Sequence, residues 1–390
     1  MDTQNTPIHL TLWHREFWFL ALANMLVSMS VYMTIPDMIA SLRAFGFPPL
    51  QVGAVMGGYG IGLFVFGPFV NYYVERYRRK MVCIMALLIL LADMGVLFYL
   101  RETPYAAVFE VQATLRFVLG AAYGLFEMVL LSTLVIDTVK SFMRTEANHH
   151  VTWFGRFALS LGPVAGICIC GYWGTQTLIL TSVGFSVVAF CLLAMVSVPF
   201  KTPDDAARRF ALDRFFLPEG CLLFFNLFAV TTVVGLLLTL PLSLTFFAVM
   251  MFGFLLALLS ERFVFANAEL ESEPICGLGA LFASLLILLT RHQPVAEMMA
   301  AALLGLGVGL IGSRFLLFFI KLSHHCQRGT SQSTFFLGWE SGISCGLFIG
   351  LSCFSLQPHA LLLCGLSIIA AAFVGYHFFV HAWYMRHRNR

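Results

Sequence analysis

Gly67-Pro68-Phe69-Val70-Asn71-Tyr72-Tyr73-Val74-Glu75-Arg76-Tyr77 closes an apolar run on an acidic-basic-aromatic triplet. The same plan returns 186 residues later, where Gly253-Phe254-Leu255-Leu256-Ala257-Leu258-Leu259-Ser260-Glu261-Arg262-Phe263 ends another apolar run. Two further echoes follow in order. Leu119-Gly120 and Gly124-Leu125 recur 185 residues on as Leu304-Gly305 and Gly309-Leu310. Arg144, Gly162 and Gly166 recur 184 residues on as Arg328, Gly346 and Gly350. Three nearly equal offsets mean two halves built alike, an N-terminal one over 1–200 and a C-terminal one over 218–390, joined by a linker over 201–217.

Hydrophobic residues make up 59% of the 390, charged residues 11%, and mean hydropathy is +0.87. Soluble domains carry about 25% charge, so the composition predicts an all-α polytopic membrane protein. In a chain this apolar, internal duplication is the organising feature of many secondary transporters. Met1–Leu12 lacks a basic start and an Ala-x-Ala site, so the first apolar segment is expected to remain as an uncleaved helix. Most of the ten cysteines lie in apolar stretches. Cys168-x-Cys170 lacks CxxC spacing and a second pair, so no metal is expected there.

About 20 residues span a bilayer. Twelve windows qualify: 17–42, 50–73, 81–100, 106–139, 150–172, 176–199, 218–241, 243–265, 275–291, 295–321, 333–355 and 359–384. With both termini cytoplasmic, 17 of the 23 lysines and arginines fall on the inside, 3 (Arg43, Arg101 and Arg291) outside, and 3 (Arg116, Arg156 and Arg314) within helices. That bias obeys the positive-inside rule for an even helix number.

Two sets of six helices around a central loop resemble the major facilitator superfamily over essentially the whole chain. Glu75-Arg76-Tyr77-Arg78-Arg79-Lys80 resembles its loop signature, with Glu for Asp and Arg78 where Gly is usual. Arg116 followed by Gly120 resembles its helix-4 signature, with Leu119 in place of Gln. Leu161-Gly162-Pro163-Val164-Ala165-Gly166 resembles the Gly-Pro-x-x-Gly segment of the antiporter branch, with Ala158 and Ile167 replacing two of its glycines. The resemblance implies alternating access around a cavity lined by helices 1, 4, 7 and 10. It also implies a cytoplasmic gate network of Glu75, Arg76, Arg79 and Asp137, with Arg156 grouped as a further charge of that network; a solvated basic loop is the plain alternative. Gly162, Pro163 and Gly166 also read as ordinary close helix packing.

A charge within the bilayer costs about 2.5–3.5 kcal/mol on insertion scales, so each is a functional suspect. Arg116 and Glu127 are 11 residues apart on one helix, about 20° in azimuth and ~16 Å in height, with Tyr123 on the same stripe. Arg314 follows Glu127's counterpart, Gly312, by two residues. The sharp expectation is that Glu127 titrates, with Arg314 or a substrate cation competing for its carboxylate; a permanent ion pair is the alternative. Arg116 is a second proton-handling candidate, or snorkels to headgroups. Asp93, in the third segment, is functional or a hydrogen-bonded structural carboxyl. Asp37 sits at the outer vestibule or the interface. Arg156 and Glu340 occupy equivalent positions in the two halves, and Glu340 is a pathway candidate. Asn24 and Asn226 supply one amide per half, for cargo or for neighbouring helices. His149-His150 and His324-His325 read as loop histidines, and Glu269, Glu271 and Glu273 as a solvated loop.

No His-Glu-x-x-His, G-x-S-x-G or phosphate-binding glycine loop supports an enzyme, and no cofactor or nucleic acid is expected. The reading is a monomeric, proton-coupled carrier of a small molecule in a bacterial inner membrane. Export of a lipophilic or cationic compound is favoured over uptake of a sugar, nucleoside or organic anion.

Overall fold

The computed structural model describes residues 11–198, 207–291 and 293–388. Lys201 and Arg390, both counted on the inside above, lie outside them. Among the described residues the chain is helical, with eleven helical stretches long and apolar enough to span a membrane. The longest, Ser141–Met195, breaks at Gly174, whose φ of 81° and ψ of 173° are non-helical, so it folds as two spans. Glycine alone adopts that conformation without strain.

The twelve spans are α1 (Arg15–Ala44), α2 (Pro49–Arg76), α3 (Arg79–Leu100), α4 (Phe109–Asp137), α5 (144–173) and α6 (175–195). They continue as α7 (Pro218–Leu237), α8 (Leu244–Phe263), α9 (Ser272–Thr290), α10 (Pro294–Leu322), α11 (Arg328–Cys353) and α12 (Pro358–His387). α1 bends at Met33 and Thr34, just before Pro36, which cannot donate into the helix ladder. Centrality is graded: 94% of the α4 window and 83% of the α11 window are buried, against 39% for α3 and 33% for α12.

The duplication is visible as matched packing. α1 packs along α5 as α7 packs along α11, and α2 along α4 as α8 along α10. The echoed glycines make these contacts. A Cβ on Gly120 would overlap the carbonyl oxygen of Tyr59, and one on Gly305 that of Met250. Likewise Gly166 lies against Met33 of α1, and Gly346 against Thr232 of α7. The halves meet through two matched seams, α2 on α11 and α5 on α8.

One boundary differs from the sequence reading. α9 begins at Ser272 rather than 275, so Glu273 lies in its first turn, fully buried, instead of in a solvated loop. Arg314 of α10 makes that burial tolerable by donating Nε to Glu273 at 2.6 Å. His149 also sits inside a helix, α5, with its ring 2.9 Å from Glu261 of α8, joining the two halves.

Candidate functional site

Three of the charges that interrupt apolar helices, Glu127, Arg156 and Glu340, converge at the seam between the halves. A cavity of about 40 Å³ is walled by Asn24 and Ser28 of α1, Tyr123 and Glu127 of α4, Arg156 of α5, and Trp339 and Glu340 of α11, among others. Helices 1 and 4 line it as the resemblance implies. The other walls come from α5 and α11 rather than from helices 7 and 10. α10 reaches the edge of the site through Gly312, where an added Cβ would lie 2.9 Å from Arg156 Nε and 2.8 Å from Trp339 Cζ3.

Glu340 is 2% exposed and accepts hydrogen bonds from three tyrosine hydroxyls, those of Tyr32, Tyr59 (3.3 Å) and Tyr123 (3.4 Å). Glu127, equally buried, accepts one from Ser28 Oγ at 3.3 Å, and the Ser28 and Tyr123 hydroxyls lie 3.1 Å apart. Both carboxyls thus belong to one hydroxyl network crossing between the halves. Shortly after Glu127, Leu130–Leu134 forms a π-turn, a one-residue insertion frequent at functional sites. Asn24 donates Nδ2 to the Val151 carbonyl, while its Oδ1 is buried without a partner.

Arg156 is 2% exposed and none of its three guanidinium nitrogens has a hydrogen-bond partner. It stacks 4.6 Å from the Trp153 ring centroid, with Phe335 and Trp339 at 5.8 and 5.9 Å. It therefore belongs to the cavity and not to the gate network expected from sequence, because α5 turns this face inward.

The other candidates lie elsewhere. Arg314 pairs with Glu273 inside the C-terminal half, so it does not reach across to Glu127; the nearer acid on α9 captures it. Arg116 and Asp93 share a separate cavity of about 10 Å³ within the N-terminal half, Arg116 contacting Met56 Sδ at 3.7 Å. Asp37 accepts from Thr175 at 2.6 Å and from Arg101 at 3.4 Å, tying α1 to the α5–α6 turn and the end of α3. Asn226 donates to the Ala372 carbonyl at 3.0 Å, a contact between α7 and α12 away from the cavity.

At the basic end, Arg79 pairs with Asp137, joining α3 to α4. Glu75 binds Arg214 at 2.9 Å, and Arg76 completes α2 partly buried. Arg214 also donates to Thr133 of α4 at 3.0 Å, and its backbone N–H donates to Thr330 of α11 at 2.8 Å. Its φ of 58° is left-handed, a strained conformation for a side-chain-bearing residue. Burial, followed by the nearby Arg79, holds its guanidinium below the usual arginine range.

Sequence reasoning missed Ser28, Tyr32, Tyr59, Trp153, Phe335 and Arg214. A tyrosine inside an apolar helix is a weak signal, but Tyr32, Tyr59 and Tyr123 all fall in the first four spans and so could have been tested for a common acceptor. Among the described residues no group of three or more His, Cys, Asp or Glu is arranged to hold a metal.

Comparison with known proteins gives the class. The chain is similar in structure to a mutant form of the nucleoside transporter NupG, with TM-score 0.69, 11% identity, and coverage of 93% of this chain and 99% of that one. It is also similar to the human organic anion transporter MFSD10 (TETRAN), with TM-score 0.61, 13% identity and coverage of 93% and 98%. No curated protein matches by sequence. The model described as Major Facilitator Superfamily matches residues 20–347. The chain belongs to the major facilitator superfamily, a family of membrane transporters of small molecules.

Proposed function

We propose that this protein moves a small organic molecule by alternating access, with Glu127 and Glu340 handling the coupled protons. The observation that carries this is a pair of carboxyl groups in one cavity at the seam of the halves, linked by hydroxyls and in ion pairs with no described residue. Such a carboxyl within a spanning helix is costly and marks a proton or cation path. A hydroxyl network crossing the seam must break when the halves rock apart, so protonation and opening are coupled by construction.

A polar or anionic compound is the better-supported cargo class, and uptake is the direction proposed with it. The nucleoside and the organic anion named for the two similar structures lend it weight, as does the aromatic lining with one arginine. Export of a lipophilic or cationic compound is the second reading, favoured by Glu127, whose carboxylate has Ser28 as its one donor among the described residues. In this proposal the basic end faces the cytoplasm of a bacterial inner membrane, the two halves meet the linker at 201–217, and the monomer is the working unit.

The test uses purified protein in vesicles with an imposed pH gradient. Saturable accumulation of a cargo against its own gradient, lost in Glu127→Gln while the variant keeps its melting temperature, is the expected result. Linear, non-saturating flux would point to a pore and sink the proposal.

A further inference from the structure

Among the described residues, Arg156 is the charged group lining the cavity that the coupling scheme leaves unused. Its setting follows from the duplication. Arg156 and Glu340 are equivalent at the 184-residue offset, and Glu127 and Gly312 at the 185-residue offset. In the folded chain these positions meet crosswise: Arg156 lies against Gly312, while Glu340 is linked to Glu127 through the Tyr123 and Ser28 hydroxyls. One crossing is thus acidic and rich in hydroxyls. The other holds a guanidinium over a bare backbone.

We propose that Arg156 is the cargo-binding cation. The site takes a small organic anion, with its carboxylate or phosphate on the guanidinium and its planar or apolar part against the cavity-lining Phe335, Phe336 and Trp339. The inference rests on the reading of this cavity as the transport site. Three facts carry it: a guanidinium with three unpartnered nitrogens, its near-complete burial, and its place in the cavity wall. Proteins seldom bury an unpaired charge for structural ends, since removing a guanidinium from water is strongly unfavourable without a partner. The aromatic stack on Trp153 offsets part of that cost and leaves the five N–H donors free. Those donors form a planar fork that matches an oxyanion in bidentate fashion. The nearby acids do not satisfy it. Glu261 contacts His149, and Glu273 is held by Arg314. The other two arginines within spans are otherwise placed, Arg314 on Glu273 and Arg116 beside Asp93.

Gly312 is the positioning residue for this group. A methyl there would stand 2.8 Å from Trp339 Cζ3, 2.9 Å from Arg156 Nε and 3.2 Å from Cζ, so the guanidinium and the indole edge beside it would both have to move. The side chain is long enough to yield without unfolding the helices around it.

The experiment is a melting-temperature and binding series on the purified full chain. The probes are benzoate with benzamide and benzylamine, indole-3-acetate with its amide and tryptamine, and phenyl phosphate with phenol. In the wild type an anion is expected to stabilise more than its neutral or cationic relative. Arg156→Gln should erase that preference, and Gly312→Ala should weaken anion binding at least tenfold. Without any probe, Arg156→Gln should melt higher than the wild type, because an unpaired buried charge has been removed. The inference is overturned if no anion outperforms its relatives in the wild type, if the preference survives in Arg156→Gln, or if that variant melts lower without probe. The two proposals fail separately in pH-dye-loaded vesicles. Proton flux driven by a neutral compound or amine, with no anion preference, removes the anion site and keeps the coupling scheme. Anion binding lost in Arg156→Gln, with no proton flux at all, does the reverse.

Discussion

Glu340 shows how one side chain organises a site. Three hydroxyls from α1, α2 and α4 converge on it from the opposite half. Glu340→Ala would strand the Tyr32 hydroxyl, at about 1–3 kcal/mol, and add the cost of the cavity it leaves, while Tyr59 keeps the main-chain carbonyl of residue 340 at 3.2 Å and Tyr123 keeps Ser28. Glu340→Gln keeps an acceptor oxygen and should cost about 1 kcal/mol, so thermal denaturation of the two variants should separate clearly. Equal losses would mean that the tyrosines are held by packing alone. Arg314 makes the complementary case. Arg314→Met should cost about 3–5 kcal/mol, because it strands a fully buried carboxyl on Glu273, and adding Glu273→Gln should recover most of that. No recovery in the double variant would show that packing, not the charge, sets the loss. That pair also explains a misreading. The three glutamates at 269, 271 and 273 look alike in sequence, yet Glu273 is the one that is buried against Arg314 of a neighbouring helix, and such a partner is three-dimensional information. The 184-residue offset relates Arg156 to Glu340, but it cannot tell which of them keeps a partner.

Helices in this chain are apolar nearly all round, and that limits what can be read from each. The windows and their count follow from hydropathy, as does the break at Gly174 between the fifth and sixth spans. The facing of each span does not, because a helix between lipid and protein carries no clear polar side to fix its rotation. Arg116 and Glu127 share one stripe by helical spacing, yet the fold sends them to separate cavities. Small residues hold more of the facing information than polarity does. Gly166 of α5 seats against the Met33 backbone, so Gly166→Ala should force α1 and α5 apart and cost about 1–3 kcal/mol. Gly184 of α6 has nothing within 4 Å of an added Cβ, and Gly184→Ala should be neutral or stabilising by about 0.5–1 kcal/mol. Similar melting temperatures for the two variants would contradict the view that the echoed glycines set helix spacing.

At the scale of the whole molecule, the halves touch at both ends of the cavity. Toward one end, Gly57 of α2 lies against Phe348 of α11, an added Cβ standing 2.7 Å from the Phe348 Cβ. At the basic end, Gly329 of α11 lies against Ser132 of α4, with the corresponding distance 3.2 Å. Disulfides need Cβ atoms about 3.5–4.5 Å apart, within small movements of both seams. In a background without the native cysteines, Gly57→Cys with Phe348→Cys and Ser132→Cys with Gly329→Cys should each block transport when oxidised and release it when reduced. Full transport with either bridge closed would exclude rocking of the halves. The duplication was legible because repeated glycines and charges keep their spacing. The cavity between the halves was not, since it exists only where two surfaces from distant sequence meet. The most direct measurement of the central claim compares exchange with accumulation in vesicles for wild type and Glu127→Gln. If Glu127 carries the coupled proton, the wild type does both, whereas the variant still exchanges labelled cargo for unlabelled but no longer concentrates it in response to a pH gradient. Accumulation by Glu127→Gln equal to that of the wild type would contradict the account.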